Sequence, residues 1–204
     1  MTTYFAIFSL PPHLVVDTPA LEKSFYALSR RLHPDRFASR PAAEQEAALA
    51  ESSRLNDAYR TLKDPIARTE YLLKLEGVEL EEQSSAATAQ ARAAGTTKKQ
   101  VVPEDLLEEA FELNMQLEEM RAAKKMGEDD PQLRKDLTAA KSDFDAKLAA
   151  TDADLATLHT QWDVAADAND PAAKLAARDA MVALLNRRSY LRNLVRDVNG
   201  ALDS

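Results

Sequence analysis

The feature that most constrains the fold is an apolar stripe that keeps helical phase for about thirty residues in the second half of the chain. Its members recur at the three- and four-residue spacings of one helix face: Leu133, Leu137, Ala140, Phe144, Leu148, Leu155, Leu158 and Trp162. On a helical wheel they stay within roughly 80° of arc. The sequence therefore predicts one long helix that begins at Pro131. Because Trp162 lies on the stripe, we expect its side chain to be buried in the core of the protein.

Two further predicted helices flank the long one. The first covers about residues 103–126 and ends at Gly127, because glycine commonly follows the last helical residue. The other begins near Pro171, after the break "ADANDP", and its apolar residues are Leu184, Leu191, Val195, Val198 and Leu202. Three helices with matching stripes and short connections predict an antiparallel three-helix bundle over residues 103–204.

The start of the chain predicts a group of shorter helices. "TYFAIFSLPP" is typical of a short helix that is stopped by its two prolines. Thr18 is the expected cap of a second helix, with Pro19 as its first residue. That helix carries the stripe Leu21, Phe25, Leu28 and Leu32. We expect it to end near His33, because the residue before a proline disfavours the helical conformation.

The pattern then continues in two more helices. One is predicted over about Ala42 to Lys63 and the other within "DPIARTEYLLKLEG", ending near Gly77. No strand pattern is found in the sequence, so the predicted fold class is all-α. Residues 81–100 lose apolar periodicity and are rich in Ser, Ala, Thr and Gln, which favours a flexible linker, with an Ala-rich helix as the alternative. The predicted domains are 1–76 and 103–204, joined by a linker at 77–102.

Composition excludes several classes of function. The chain has no cysteine and only three histidines, far apart at His13, His33 and His159, so we expect no metal site and no cofactor. The net charge of −8 arises entirely after residue 76, because residues 1–76 hold ten basic and ten acidic residues. Such a chain would repel phosphate backbones, so no nucleic-acid partner is expected.

No apolar run is long enough for a membrane span, and without a targeting signal we expect a cytoplasmic protein.

The stretch "RRLHPDRF" at residues 30–37 carries the most specific motif. His33 and Asp35 first suggest an acid–base pair, but no nucleophile or phosphate-binding loop accompanies them, and we expect no catalytic residue. A second interpretation is a plain helix stop, in which Pro34 ends the helix and Asp35 caps the turn. The third is a surface that another protein recognises. Lys23, Tyr26 and Arg30 lie opposite the apolar stripe of the preceding helix.

The helix predicted at 103–126 carries more apolar surface than a bundle needs. Its first stripe is Leu106, Ala110, Leu113, Leu117 and Met120, and a second stripe of Leu107, Phe111 and Met115 lies about 100–140° away. Glu108, Glu112 and Glu119 border the second stripe. This pattern is typical of a partner-binding face. The alternative is that the second stripe packs against the third bundle helix or the N-terminal domain.

Residues 1–76 resemble the J-domain of Hsp70 co-chaperones. The matching stretches are "YFAIFSLP", "FYALSRRLHPDRF" and "LNDAYRTLKDPIARTEYLL". The resemblance implies a site that docks on an Hsp70 ATPase domain and stimulates ATP hydrolysis. Its expected residues are Lys23, Tyr26, Arg30, Arg31, His33, Pro34, Asp35 and Arg36. For Lys23 and Tyr26 taken singly, a solvated helix face is the alternative.

The rest of the chain is similar to the HscB family of J-type co-chaperones, which serve iron–sulfur cluster assembly. The stretches that carry this resemblance are "LLEEAFELNMQLEEM", "QWDVAADAND" and "LLNRRSYLRNL". It implies two partners, an HscA-type Hsp70 and an IscU-type scaffold protein, and no enzymatic activity of its own. A different client, such as unfolded chains, is the alternative.

The same resemblance implies the residues that contact the scaffold. They are Leu107, Glu108, Phe111, Glu112, Met115, Glu119 and Tyr190. Two of them depart from the family pattern, since Met115 stands where an acidic residue is usual and Tyr190 where Phe is usual. Tyr190 lies roughly 100° off the core stripe of its helix, so we expect it to be exposed or at a rim.

His13 is expected in a loop and His159 on the surface.

Overall fold

The computed structural model describes residues 2–78, 103–128 and 130–203. Within these ranges every regular element is helical and no strand occurs, which confirms the all-α class. No helix in the described ranges has the length and hydropathy that crossing a bilayer requires. The predicted linker at 81–100 lies outside the described residues.

Four helices and a 3₁₀ turn form the N-terminal part of the chain. They are α1 (Tyr4–Ile7), α2 (Thr18–Arg31), the turn Pro34–Phe37, α3 (Ala42–Lys63) and α4 (Pro65–Leu75). The predicted cap at Thr18 is wrong by one residue. Asp17 caps α2, because its carboxylate accepts a hydrogen bond from the Ala20 amide at 3.0 Å. Asp64 caps α4 in the same way, through the Ala67 amide at 2.8 Å.

The described residues of the second half form three helices. A 3₁₀ turn at Glu104–Leu106 leads into α5 (Leu107–Met126), which is followed by α6 (Pro131–Asp167) and α7 (Pro171–Asp203). The prediction of one long helix from Pro131 is confirmed, since α6 runs for 37 residues without a break. Gly127 ends α5 with a φ of 73°, a left-handed conformation that glycine adopts without strain.

The described chain divides into two compact units, and neither is continuous in sequence. One contains Met1–Leu80 together with His159–Arg178, and the other contains Glu81–Leu158 together with Asp179–Ser204. The sequence assigned residues 159–178 to the C-terminal domain, whereas in the structure they pack with the N-terminal helices. The predicted domains at 1–76 and 103–204 concern which parts of the chain fold independently. Their borders at 76 and 103 stay a prediction.

The core of the first unit combines the N-terminal helices with the adjoining ends of α6 and α7. Helix α3 packs against α1, α2 and α4. The large buried apolar side chains of this core include Phe5, Leu14, Leu21, Leu55, Leu62, Leu72, Leu73 and Trp162. The expectation that Trp162 lies in the core is confirmed, and its ring also carries the Lys174 ammonium 4.7 Å above its centroid.

The second unit is a helical bundle around one apolar core. The predicted first stripe of α5 is buried throughout and packs with residues of α6 and α7: Leu133, Leu137, Phe144, Tyr190, Leu191, Leu194 and Val198. Ion pairs join the helices at the rim, such as Arg188 with Asp152 at 2.5 Å and Lys147 with Glu109. The predicted stripe of α5 is thus confirmed, whereas on α7 the core includes Tyr190 and Leu194, which lie outside the predicted stripe.

The sequence placed Tyr190 at an exposed or rim position. It is only 9% exposed and belongs to the core cluster of the bundle. The apolar face of α7 is wider here than the predicted stripe, because positions 190, 191, 194 and 198 all point into the core. Burial raises the pKa of the Tyr190 hydroxyl above its ordinary value. The expected exposure of Tyr190 is therefore wrong.

Candidate protein-binding sites

The His33–Pro34–Asp35 motif forms a well-defined turn at the end of α2. His33 caps the 3₁₀ turn that follows it, and its Nδ1 accepts a hydrogen bond from the Asp35 amide at 3.4 Å. The Asp35 carboxylate lies 3.4 Å from the same nitrogen. Both side chains are largely exposed, His33 at 56% and Asp35 at 88%. The turn presents polar groups at fixed positions outside the fold, as a surface for recognition does.

Basic residues surround this turn. Lys23, Tyr26, Arg30 and Arg31 are exposed on α2, with Tyr26 56% accessible. Arg36 reaches back from the turn, and its Nη1 donates to the Arg30 carbonyl at 3.4 Å. The sequence-predicted residues of this site are therefore brought together on one helix and the turn that follows it.

Helix α2 is held against α3 by contacts that the sequence analysis did not foresee. The rings of Phe25 and Tyr59 stack with centroids 4.1 Å apart. The Tyr59 hydroxyl donates to the Glu22 carboxylate at 3.2 Å, and Lys63 lies 4.0 Å from that carboxylate. The stacked rings and the contacts of Glu22 hold α2 in one rotation about its helix axis. They thereby fix the direction in which the basic face of α2 points.

The same unit contains a buried polar cluster. The Asp163 carboxylate of α6 accepts hydrogen bonds from the amides of Leu14 at 2.7 Å and Val15 at 2.8 Å. The Arg68 Nε of α4 donates to the Leu14 carbonyl at 2.9 Å. Burial lowers the pKa of the Arg68 guanidinium, and the Asp163 charge opposes this shift. The backbone amide and the backbone carbonyl of Leu14 are thus both hydrogen-bonded, which fixes the segment that leads into α2.

His159 belongs to this cluster, so the prediction of a surface position is wrong. It is 5% exposed, and its Nε2 lies 2.7 Å from the Thr69 hydroxyl. Because that hydroxyl donates its only hydrogen to the Pro65 carbonyl at 2.7 Å, the imidazole Nε2–H must be the donor in the contact. Burial, with the nearby Arg68 charge as a smaller cause, lowers the pKa of His159 to about 4.

The second stripe of α5 forms an exposed apolar face. Leu107, Phe111 and Met115 are 54%, 67% and 60% exposed, although the stripe beside them on the same helix is fully buried. The alternative that this stripe packs inside the protein is therefore wrong. Its acidic border is exposed as well and consists of Glu108, Glu112 and Glu119. The three apolar residues and this border together are named the α5 face.

Both sites are built largely from exposed side chains. His33 and Asp35 are open to solvent, whereas an acid–base pair is usually tuned by burial. The described residues contain no group of three or more His, Asp or Glu side chains placed to hold a metal ion. Both sites offer surface for contact with another macromolecule.

The chain is similar in sequence to curated HscB homologs. No protein-family model matches the chain. A co-chaperone protein HscB homolog from Neisseria meningitidis serogroup C is 51% identical over 79 residues, which is 39% of this chain and 48% of that protein. The homolog from Bordetella avium is 41% identical over 88 residues, 43% of this chain and 52% of that protein. The chain thus matches about half the length of these curated relatives.

Solved structures extend the similarity to nearly the whole chain. The chaperone HscB from Vibrio cholerae covers 98% of both chains with a TM-score of 0.58 and 28% identity. The human co-chaperone protein HscB covers 97% of this chain and 80% of its own, with a TM-score of 0.61. At 23% identity, the human structure supports the fold alone.

The helix pair α2 and α3 with its His33–Pro34–Asp35 turn, followed by a helical bundle, defines a J-domain protein with a C-terminal bundle. Within that class the chain is similar to HscB co-chaperones, in sequence to the HscB homologs over part of its length and in fold to the HscB structure from Vibrio cholerae.

Proposed function

We propose that this protein is a co-chaperone in iron–sulfur cluster assembly. In this proposal α2 and the His33–Pro34–Asp35 turn dock on an HscA-type Hsp70 and stimulate its ATP hydrolysis. The α5 face binds an IscU-type scaffold protein and brings it to the Hsp70. The protein contributes contacts and no chemistry of its own, because hydrolysis takes place in the partner.

The proposed Hsp70 site is supported by the charge and exposure of its residues. Its four cations, Lys23, Arg30, Arg31 and Arg36, lie along one helix and its following turn, all exposed. A cationic patch accelerates encounter with an acidic partner and gives association that weakens with salt. His33 and Asp35 then supply directional hydrogen bonds beside that patch. Transient, salt-sensitive docking of this kind suits a co-chaperone that must leave after hydrolysis.

The α5 face is the single observation that carries the scaffold-binding proposal. Three large apolar side chains, each more than half exposed, follow one another along one helix. Exposed apolar groups of this size with a polar rim are typical of protein-binding surfaces. The carboxylates of Glu108, Glu112 and Glu119 favour a partner with basic groups around an apolar patch. Tyr190 would support this site from within the bundle core.

The proposal is tested by measuring binding of an IscU-type scaffold by titration calorimetry. The double variant Leu107→Ala/Phe111→Ala should weaken binding at least tenfold, because anchors of this kind contribute more than 1 kcal/mol each. The matched control is Leu49→Ala, which removes an equally exposed leucine from α3. An unchanged affinity in the double variant would contradict the proposal. Equal binding of unfolded peptides would favour a general client-holding function instead.

A further inference from the structure

The sulfur atoms of this chain are unevenly exposed. The protein has no cysteine and five methionines, so reversible sulfur oxidation is confined to thioethers. Among the described methionines, Met120 and Met181 are buried at 1% and 0% exposure. Met115 and Met126 are exposed at 60% and 75%. An oxidant in solution therefore reaches Met115 and Met126 before the two buried sulfurs.

The two exposed methionines occupy different surroundings. Met115 is one of the three apolar residues of the α5 face. Met126 is the last residue of α5 and lies about 16 Å further along the helix, beyond Glu119. Oxidation of Met115 changes the proposed scaffold-binding surface itself, whereas oxidation of Met126 changes the end of the helix.

We propose that Met115 is a redox-modification site whose oxidation by peroxide turns off binding at the α5 face. This inference rests on the proposed function and names a regulation of the same site. The thioether sulfur attacks one peroxide oxygen, the O–O bond breaks, and water leaves. Sulfur is oxidised by two electrons to the sulfoxide and peroxide is reduced. A dithiol-dependent methionine sulfoxide reductase reverses the reaction.

The chemical consequence follows from what surrounds Met115. The sulfoxide adds a strong hydrogen-bond acceptor to an apolar side chain, and burying that acceptor without a donor disfavours binding. Glu112 and Glu119 lie three and four residues away on the same helix, so their side chains neighbour position 115. These carboxylates offer no donor to the new oxygen, and their charge repels its partial negative charge. We therefore expect binding to weaken by about tenfold or more.

The test compares each protein with its own unoxidised form. Full-length wild type, Met115→Leu and Met126→Leu are treated with hydrogen peroxide, and peptide mass spectrometry records which methionines carry oxygen. Affinity for an IscU-type scaffold is then measured before and after treatment, and again after treatment with methionine sulfoxide reductases. Circular dichroism confirms that the helices persist.

The proposal expects wild type and Met126→Leu to lose affinity on oxidation and to regain it on reduction, while Met115→Leu keeps the affinity it had before treatment. It is overturned if scaffold binding persists once Met115 is oxidised. It is equally overturned if Met126→Leu, rather than Met115→Leu, protects binding. Failure of the unoxidised wild type to bind the scaffold would instead overturn the proposed function, and the switch with it.

Discussion

His159 is a neutral histidine in the core of the first unit, held there by burial and by its hydrogen bond to Thr69. Burial disfavours the positive charge on its imidazole, and the nearby Arg68 charge disfavours it further. Asp163, one turn along α6, directs its carboxylate to the amides of Leu14 and Val15. The folded state of this unit therefore disfavours protonation of His159.

This environment predicts how stability depends on pH. Because the pKa of His159 falls from 6.5 to about 4, the unfolded chain binds more protons between these values, and stability falls as pH falls through that window. The contribution of His159, about 3 kcal/mol, is present above pH 6.5 and lost on approach to pH 4. Urea unfolding followed by Trp162 fluorescence should show a shallower pH dependence in His159→Gln. Equal slopes for both proteins would contradict this assignment.

Asp163 makes a second residue-level prediction. Replacing it by alanine removes the acceptor of two backbone amides, and hydrogen bonds to charged groups contribute about 1.5–3 kcal/mol each. We expect Asp163→Ala to destabilise the first unit by about 3 kcal/mol in the same fluorescence assay. Asp167→Ala is the control, because the Asp167 side chain is exposed and forms an ion pair with His13 at 3.1 Å on the surface. A cost below about 1 kcal/mol for Asp163→Ala would show that these bonds do not hold the segment before α2.

Single residues were also where sequence reasoning failed. Thr69 and His159 are 90 positions apart, and no periodicity within one helix indicates that they meet. Tyr190 was misplaced because a core surrounded by several helices accepts a wider apolar face than a single stripe. The exposure of Leu107, Phe111 and Met115 was one of two alternatives, because an angular distance from the core stripe does not show whether another element covers the second stripe.

Among the elements, α5 has two apolar faces that contribute differently to the stability of the bundle. One face is buried in the core and the other is exposed. Leu113 is 1% exposed in the bundle core, whereas Leu107 and Phe111 remain more than half exposed. Leu113→Ala should therefore cost about 2–5 kcal/mol of bundle stability, as buried leucines do. Leu107→Ala and Phe111→Ala should each cost less than about 1 kcal/mol. Urea unfolding followed by circular dichroism separates the two faces, and equal costs would show that the α5 face is part of the core.

Helix limits were the most predictable property of the elements. Proline, glycine and aspartate mark them locally, as Pro131, Gly127 and Asp64 do for α6, α5 and α4. The error at Thr18 arose because Asp17 and Thr18 are adjacent candidates for one cap. The sequence predicted only that α2 ends near His33; the 3₁₀ turn at Pro34–Phe37 was not predicted, since its conformation depends on the bond between His33 and the Asp35 amide.

At the scale of the whole molecule, the chain carries two surfaces with different chemistry. One is basic and built from α2 and its following turn, and the other is apolar with an acidic border on α5. Local patterns predicted both surfaces. The packing of residues 159–178 with the N-terminal helices was not predicted, because it depends on contacts between segments distant in sequence. A co-chaperone that couples a client to Hsp70 uses both surfaces, so an assay that contains both partners tests them together.

ATP turnover by an HscA-type Hsp70, with and without an IscU-type scaffold, tests this coupling most directly. Wild type should raise turnover several-fold, and the scaffold should raise it further. His33→Gln should abolish both increases, His13→Gln should keep both, and Leu107→Ala/Phe111→Ala should lose only the scaffold-dependent part. Unchanged turnover with wild type, or a rise that persists in His33→Gln, would contradict the account.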